Sequence, residues 1–312
     1  MESLLIAAGI VVPMALKMLL GCVIGRSGII DRPTMRRVDG MCFKALLPTL
    51  LFYNIYSADL GQDLDWRVIA FAVAACFALF FLALWIVPRL EKEARRAASI
   101  GQAVVRSNFV IFGMTVASAL YGEGNAGAVA LLGAFAVPLV TAMAVVILER
   151  SRSGRASLRA LTVSVLKNPI VIAALVAFLF RALPFRLPDM ILRAVKDVAG
   201  IATTLSFISL GVSLELSSLR ATGRSLLLGT ALRMLVVPAL FMPLAVLLGF
   251  RGQALCGLMV LFVSPAGVST YPMAVAMDAD GQLAGQLVVS TTLLSILTIF
   301  LATLLFSSLG WL

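Results

Sequence analysis

SPAGVSTYPMAVAMDADGQ, residues 264–282, and SNFVIFGMTVASALYGEGN, residues 107–125, decide how the rest of the chain is read. A gapless shift of 157 sets Ser107 on Ser264, Ala117 on Ala274, Ala119 on Ala276 and Gly124 on Gly281, with Glu123 over Asp280 and Asn125 over Gln282. Both stretches fall where hydropathy calls for a membrane-spanning helix. Both also carry what such a helix tolerates badly: small polar side chains, glycine and, in the later copy, Pro265 and Pro272. A break inside a bilayer frees N–H and C=O groups that lipid cannot satisfy, so it persists only where protein or a water-filled cavity surrounds it. The two stretches therefore read as interrupted helices that frame a transport site.

Composition agrees with a lipid-solvated chain. Of 312 residues 61% are hydrophobic and 13% charged, with a mean hydropathy of +1.06, more apolar surface than one soluble core can hide. The net charge of +10 arises from short Lys and Arg clusters between apolar spans, the pattern of the positive-inside rule, so no nucleic-acid partner is expected. The absence of histidine excludes His-ligated metal and His-based catalysis. Cys22, Cys42, Cys76 and Cys256 lie in or beside apolar spans without CxxC spacing, and no metal or other cofactor is expected.

Apolar windows of about 20 residues predict an all-α polytopic protein with ten spans, at 4–25, 39–57, 66–88, 98–121, 125–148, 161–183, 197–215, 224–249, 253–277 and 282–309. The first is too long for a signal-peptide core and follows Glu2, so it reads as a retained helix. Loops after odd-numbered spans hold fifteen Lys and Arg and the others six, placing the odd loops, including 149–160, in the cytoplasm and both termini outside. Residues 1–150 and 151–312 would each supply five spans. An odd number of crossings separates equivalent elements, so the second half is inserted upside down. Pro33 with Pro188, Met35 with Met190 and Phe52 with Phe207, matched at an offset of 155, support the repeat.

Within this frame Ser107-Asn108 and Gly113 would open the fourth span, and Pro265, Gly267 and Pro272 the ninth. Freed amides at a half-helix start suit an anion. Close packing by small residues is the competing account for either span alone; their equivalent places favour a crossover. Pro48-Thr49 interrupts the second span, followed by Tyr53 and Asn54, and the seventh carries Thr203, Thr204, Ser206, Ser209 and Ser213, either lining the cavity or back-bonding to helix carbonyls. Lys17, Arg106, Lys44 and Arg233 are the ionisable residues at membrane depth. Arg106 is best placed to meet a substrate carboxylate, whereas Lys44 and Arg233 lie nearer span ends, where snorkelling to the headgroups is at least as good an account. Asp59, Asp63, Asp65, Glu123, Glu215, Asp278 and Asp280 fall at span ends or loops, so no mid-membrane carboxylate is expected and coupling to sodium or protons stays open. The chain has neither the His of a serine protease, nor HExxH, nor a phosphate-binding Gly loop, which argues against an enzyme.

RSNFVIFG at 106–113, KNP at 167–169, LGVSLEL at 210–216, LRMLVVPAL at 232–240 and SPAGVSTYPMAVA at 264–276 together resemble the auxin efflux carrier family, including bacterial members described as malate or malonate permeases. The resemblance runs along nearly the whole chain. It implies two inverted five-helix repeats with helices 4 and 9 broken and crossing, similar also to bile-acid symporter relatives, and an elevator-like motion. Spans three to five and eight to ten would move against a scaffold of one, two, six and seven, which would also form a homodimer contact. It further implies substrate at Asn108 and the Pro265–Pro272 segment, bringing in Ser269, Thr270 and Tyr271. Where many relatives have proline in the fourth-span crossover, this chain has Gly113-Met114-Thr115. The expected function is secondary transport of small organic anions across a plasma membrane, with an anion channel or a polytopic sensor as alternatives.

Overall fold

The computed structural model describes residues 2–57, 65–122, 127–153, 162–163, 165–183, 186–213 and 219–312; Asp59, Asp63, Glu123, Gly124, Asn125, Arg155, Arg159 and Glu215 lie outside the described residues. The described chain is helical. Its elements are α1 (Glu2–Arg26), α2 (Arg32–Met41), a π-helical turn (Cys42–Leu46), α3 (Leu47–Tyr56), α4 (Trp66–Leu90), α5 (Ala94–Val105), α6 (Phe109–Tyr121) and α7 (Gly127–Ser153). There follow α8 (Pro169–Ala182), α9 (Asp189–Ser213), α10 (Leu219–Ala231), a second π turn (Leu232–Val236), α11 (Val237–Leu247), α12 (Gly252–Val263), α13 (Thr270–Ala276) and α14 (Gly281–Ser308).

Among the described residues five helical stretches are long and apolar enough to cross a membrane: Trp66–Leu90, Leu132–Arg152, Asp189–Ser213, Thr222–Leu247 and Gly281–Ser308. Several helix starts are written in the sequence. Asp65 accepts the N–H of Arg67, Asp280 that of Leu283 and Asn168 that of Ile170, at 2.9–3.0 Å, each side chain satisfying a donor the first helical turn leaves free. Those acids sit at span ends because they cap.

Beside an apolar core, burial departs from that of a water-soluble protein in two ways. Leu16, Leu19, Phe81, Trp85, Leu247 and Leu301 are exposed, while Ser99, Gln102, Ser206, Ser209, Ser264 and Thr291 are fully buried. Only a lipid solvent rewards that arrangement, with polar groups satisfied inside and apolar ones turned out.

The tightest helix crossing joins α1 to α9. A Cβ on Gly21 would stand 2.1 Å from Ile208 O, and one on Gly211 would stand 2.1 Å from Met18 O. Two backbones thus touch through facing glycines, the close approach that membrane helices use in place of hydrophobic attraction. Cys22 Sγ donates to Gly211 O across the same contact at 3.3 Å.

One carboxylate that the sequence reading did not weigh is buried in the fold at a predicted span end. Asp39, within α2, is 1% exposed. Its helix continues through the π turn into α3 without a break, so the position lies about 10 Å inside the helix start at 1.5 Å per residue. Met35, Asp39, Cys42 and Leu46 form one buried stripe at helical spacing, and the carboxylate is tolerated in it because hydroxyls from two other helices reach it.

Candidate functional site

The two opening stretches meet. Helix α5 ends at Val105 and α6 begins at Phe109; α12 ends at Val263 and α13 begins at Thr270. Between them Ser107 and Ala266 form an antiparallel bridge, with Asn108 N–H donating to Pro265 O at 2.8 Å and Gly267 N–H to Arg106 O at 3.2 Å. Each break supplies the partner that lipid would deny the other. The N–H of Ala266 is taken by Thr291 Oγ1 of α14 at 3.1 Å. The helix between α5 and α6 is therefore broken without a proline, because the Arg106 C=O accepts from, and the Asn108 N–H donates to, the opposite segment. The bridged residues are 159 apart, two more than the gapless sequence shift.

Arg233 organises the carbonyl side of this junction. It is 1% exposed and donates to Val104 O at 3.0 Å, Leu261 O at 3.0 Å and Ser264 O from two nitrogens at 2.9 and 2.6 Å. Val104 and Leu261 belong to the last turns of α5 and α12, whose final carbonyls have no intrahelical donor and carry the negative end of the helix dipole. One guanidinium thus caps two helix ends. Snorkelling to the headgroups is ruled out for Arg233, whereas Lys44 is exposed and fits that account.

Arg106 lies on the other side of the bridge. Its Nη2 donates to Ser269 Oγ at 2.6 Å and its Nη1 contacts Met273 Sδ. Two of its five N–H donors are thereby used, and among the described residues no carboxylate pairs with it. The guanidinium borders a cavity of about 40 Å³ whose other polar walls are Asn54, Thr141 and Ser269, closed by apolar side chains such as Val137 and Ile170. At about 30 Å³ per water that is room for about one water, on the scale of a single carboxylate group.

The predicted residues divide into those the crossover gathers and those it does not. Ser107, Asn108, Pro265 and Gly267 form the bridge by backbone; Arg106, Ser269 and Asn54 face the cavity. Asn108 is 8% exposed and its Nδ2 is buried without a hydrogen-bond partner, as are Gln102 Oε1, Ser264 Oγ and Thr270 Oγ1. Buried orphans of this kind are rare enough to require a reason. Tyr271 is buried on the far side of α13 from Arg106 and reaches Asp39. Pro272 is the third residue of α13, inside the helix, where a missing N–H costs nothing. Gly113 is in α6, beyond the break, where a Cβ would meet Val129 Cγ1 at 2.5 Å and Val260 Cγ1 at 3.5 Å, so it serves packing. Pro48 is buried at the start of α3, and its neighbours Leu47 and Leu51 line the cavity. Thr49 and Ser206 back-bond to Ala45 O and Ala202 O; Ser209 turns instead to Asp39. Thr141, Gln102 and Asp39 were not singled out by sequence, although the buried stripe through Met35 and Cys42 was a signal for the last.

Crossed, interrupted helices that satisfy each other's backbone around an unpaired cation are the hardware of a membrane carrier. The chain belongs to the family described as membrane transport protein, which it matches over residues 7–303; this is the auxin efflux carrier family. It is also similar to a protein of Methanothermobacter thermautotrophicus described as an uncharacterized transporter, 22% identical over 287 residues, 90% of this chain and 92% of that one. The chain is thus a multi-pass membrane transporter by family.

Proposed function

We propose that the protein is a secondary transporter of small organic anions, mono- or dicarboxylates foremost, bound beside the helix crossover with Arg106 as the receptor for the carboxylate. The observation that carries this reading is Arg106, at membrane depth, bordering a mostly apolar cavity that Asn54, Thr141 and Ser269 also line, with three donors free and no carboxylate partner among the described residues. A part-buried cation without a counter-ion is costly, and an anionic substrate removes the cost. Asn54, Thr141 and Ser269 would orient the anion; Asn108 lies at the bridge with an amide donor to spare.

The architecture proposed with it is ten spans in two inverted five-helix repeats, with both termini outside. The cavity walls come from α3 and α8 on one side and from α7 and the two breaks on the other. In an elevator the first pair, with α1 and α9, would stay as a dimeric scaffold while the rest moves.

Flux of labelled carboxylates in proteoliposomes tests the reading. Saturable uptake with counterflow is expected, reduced at least tenfold in apparent affinity by Arg106→Gln, about the effect of losing charge-assisted hydrogen bonds, and weakened by Ser269→Ala and Asn108→Ala. Single-channel currents would favour an anion-conducting pore instead, and unchanged transport in all three variants would overturn the site.

A further inference from the structure

The short helix α13 is gripped on two faces, and the carboxylate site uses only one of them. Ser269, just before it, and Met273 are four apart and share a face, which Arg106 holds. Tyr271, two residues from each, points the opposite way, toward Asp39 of α2. The Asp39 carboxylate accepts from Ser209 Oγ of α9 at 2.5 Å and from the Tyr271 hydroxyl, whose oxygen in turn accepts from Ser213. Helices α9 and α13 and the first π turn are the elements packed against α2. The titratable and charged groups they and α2 turn toward Asp39 are few: Tyr271, the buried thiol of Cys42, and Arg36 one turn back on α2, which is exposed. Among the described residues none forms an ion pair with it. A carboxylate without a counter-ion in a buried seat is a group for which the neutral form competes.

We propose that Asp39 is a proton-binding site that latches α13: ionised, it holds Tyr271 and the second crossover segment in place; protonated, it lets them go. The chemistry is a simple proton exchange with water, O⁻ becoming O–H, with no other bond made or broken. An ionised carboxylate offers acceptors only and draws the hydroxyls of Ser209 and Tyr271 as charge-assisted bonds. Once protonated it has a donor of its own, a neighbouring hydroxyl can turn to accept from it, and the remaining bonds lose charge assistance. The carboxylate is carried by α2 and Ser209 by α9, whereas Tyr271 belongs to the segment that bridges to Ser107. The latch therefore joins the crossover to its surroundings. On the opposite face Arg106 and Ser269 would turn toward an anion bound between them, so anion and proton act on one element from two sides. This coupling rests on the proposed anion site; the latch itself does not.

Hydrogen–deuterium exchange of the full-length protein in detergent, corrected for intrinsic exchange and compared between pH 5.5 and 8, tests the latch without any substrate. The wild type should exchange residues 264–277 roughly tenfold faster in acid than the pH 8 form, the effect of weakening a charged hydrogen bond. Asp39→Asn should show the fast exchange at both pH values. Tyr271→Phe keeps the carboxylate and the ring and should also abolish the pH response of that segment. A wild type without a pH response there, or a Tyr271→Phe protein that retains the full response, overturns the proposal; if Asp39→Asn exchanges fast everywhere, Tyr271→Phe decides. A parallel flux assay with labelled pyruvate, ionised across this range, separates the two readings. An intact exchange response with no pyruvate, malate or malonate flux counts against the anion site and leaves the latch standing.

Discussion

Arg106 and Arg233 are the same side chain placed on either side of one bridge, and their acceptors give them opposite tasks. All four hydrogen bonds of Arg233 end on carbonyl oxygens at the ends of α5 and α12, so its donors are committed to holding the broken helices together. Replacing it by methionine keeps the volume and abandons those carbonyls; the expected loss is about 3 kcal/mol or more, seen as a melting temperature in detergent lowered by roughly 5 °C or more. Arg106 spends its donors on a hydroxyl and a thioether, weak acceptors that an anion can replace. Arg106→Gln should lower transport while shifting the melting temperature far less than Arg233→Met, and equal shifts for the two would remove the distinction. Sequence makes both arginines visible as cations in apolar spans, but not the difference between them. That difference depends on which carbonyls three separate helices bring within 3 Å. Asp39 was hidden for a related reason: it stands at the edge of an apolar window, and only the contacts from α9 and α13 show that the edge is buried.

At the level of elements, the break in the later stretch was legible from Pro265 and Gly267, because residues without a donor or a Cβ mark where a helix cannot continue. The earlier break had no proline to announce it. Arg106, Ser107 and Asn108 leave the helix because the opposite segment offers Pro265 O and the N–H of Gly267, a reason that lies 159 residues away. The crossing of α1 on α9 was equally silent in the pattern of hydropathy, since glycine 21 and glycine 211 signal nothing until their backbones touch. Gly211→Ala should force the two helices apart and destabilise the fold by about 1–3 kcal/mol, read as a lower melting temperature. Gly200→Ala in the same helix, where a Cβ meets nothing within 4 Å, should be close to neutral. Helix ends also set a boundary on pH effects. Burial works to raise the Glu91 carboxyl, but hydrogen bonds from Ser225 and the Glu93 N–H, with Arg96 nearby, outweigh it and hold the group below the usual carboxylate range. A depressed group contributes stability above the ordinary carboxylate pKa and loses it only as pH falls through the lower folded value. The contact of α4 with α10 through Glu91 and Ser225 therefore stays ionised from pH 5.5 to 8, and Ser225→Ala should leave the pH response of residues 264–277 unchanged.

Over the whole molecule, contacts among the described residues tie turns together in sets. Arg95 donates to Asp278 O at 2.8 Å, Ser99 to Asp280 O at 2.8 Å and Ser151 to Ala94 O at 2.8 Å, gathering the turns after α4, α7 and α13. Arg181 donates to Tyr56 O at 3.0 Å, Gly252 N–H to Trp311 O at 2.7 Å, and Arg67 lies over the Phe250 ring, joining the turns after α3, α8, α11 and α14 in two clusters. The first set are turns that the charge count assigned to the cytoplasm. A cavity between the two proposed bodies makes their relative motion testable. Asn54 and Thr141 line the same 40 Å³ space from α3 and α7, so cysteines placed there, with Cys22, Cys42, Cys76 and Cys256 replaced by alanine, should be bridged by a short bifunctional reagent. If α7 travels with the crossover past a fixed α3, bridging arrests carboxylate exchange almost completely, and a reducible linker restores it on cleavage. A channel needs no such travel, and residual flux would then reflect only how much of the opening the linker fills. Full exchange in a protein shown by mass spectrometry to be bridged would exclude the elevator, because a body tied to its scaffold at the substrate site cannot carry that site across the membrane.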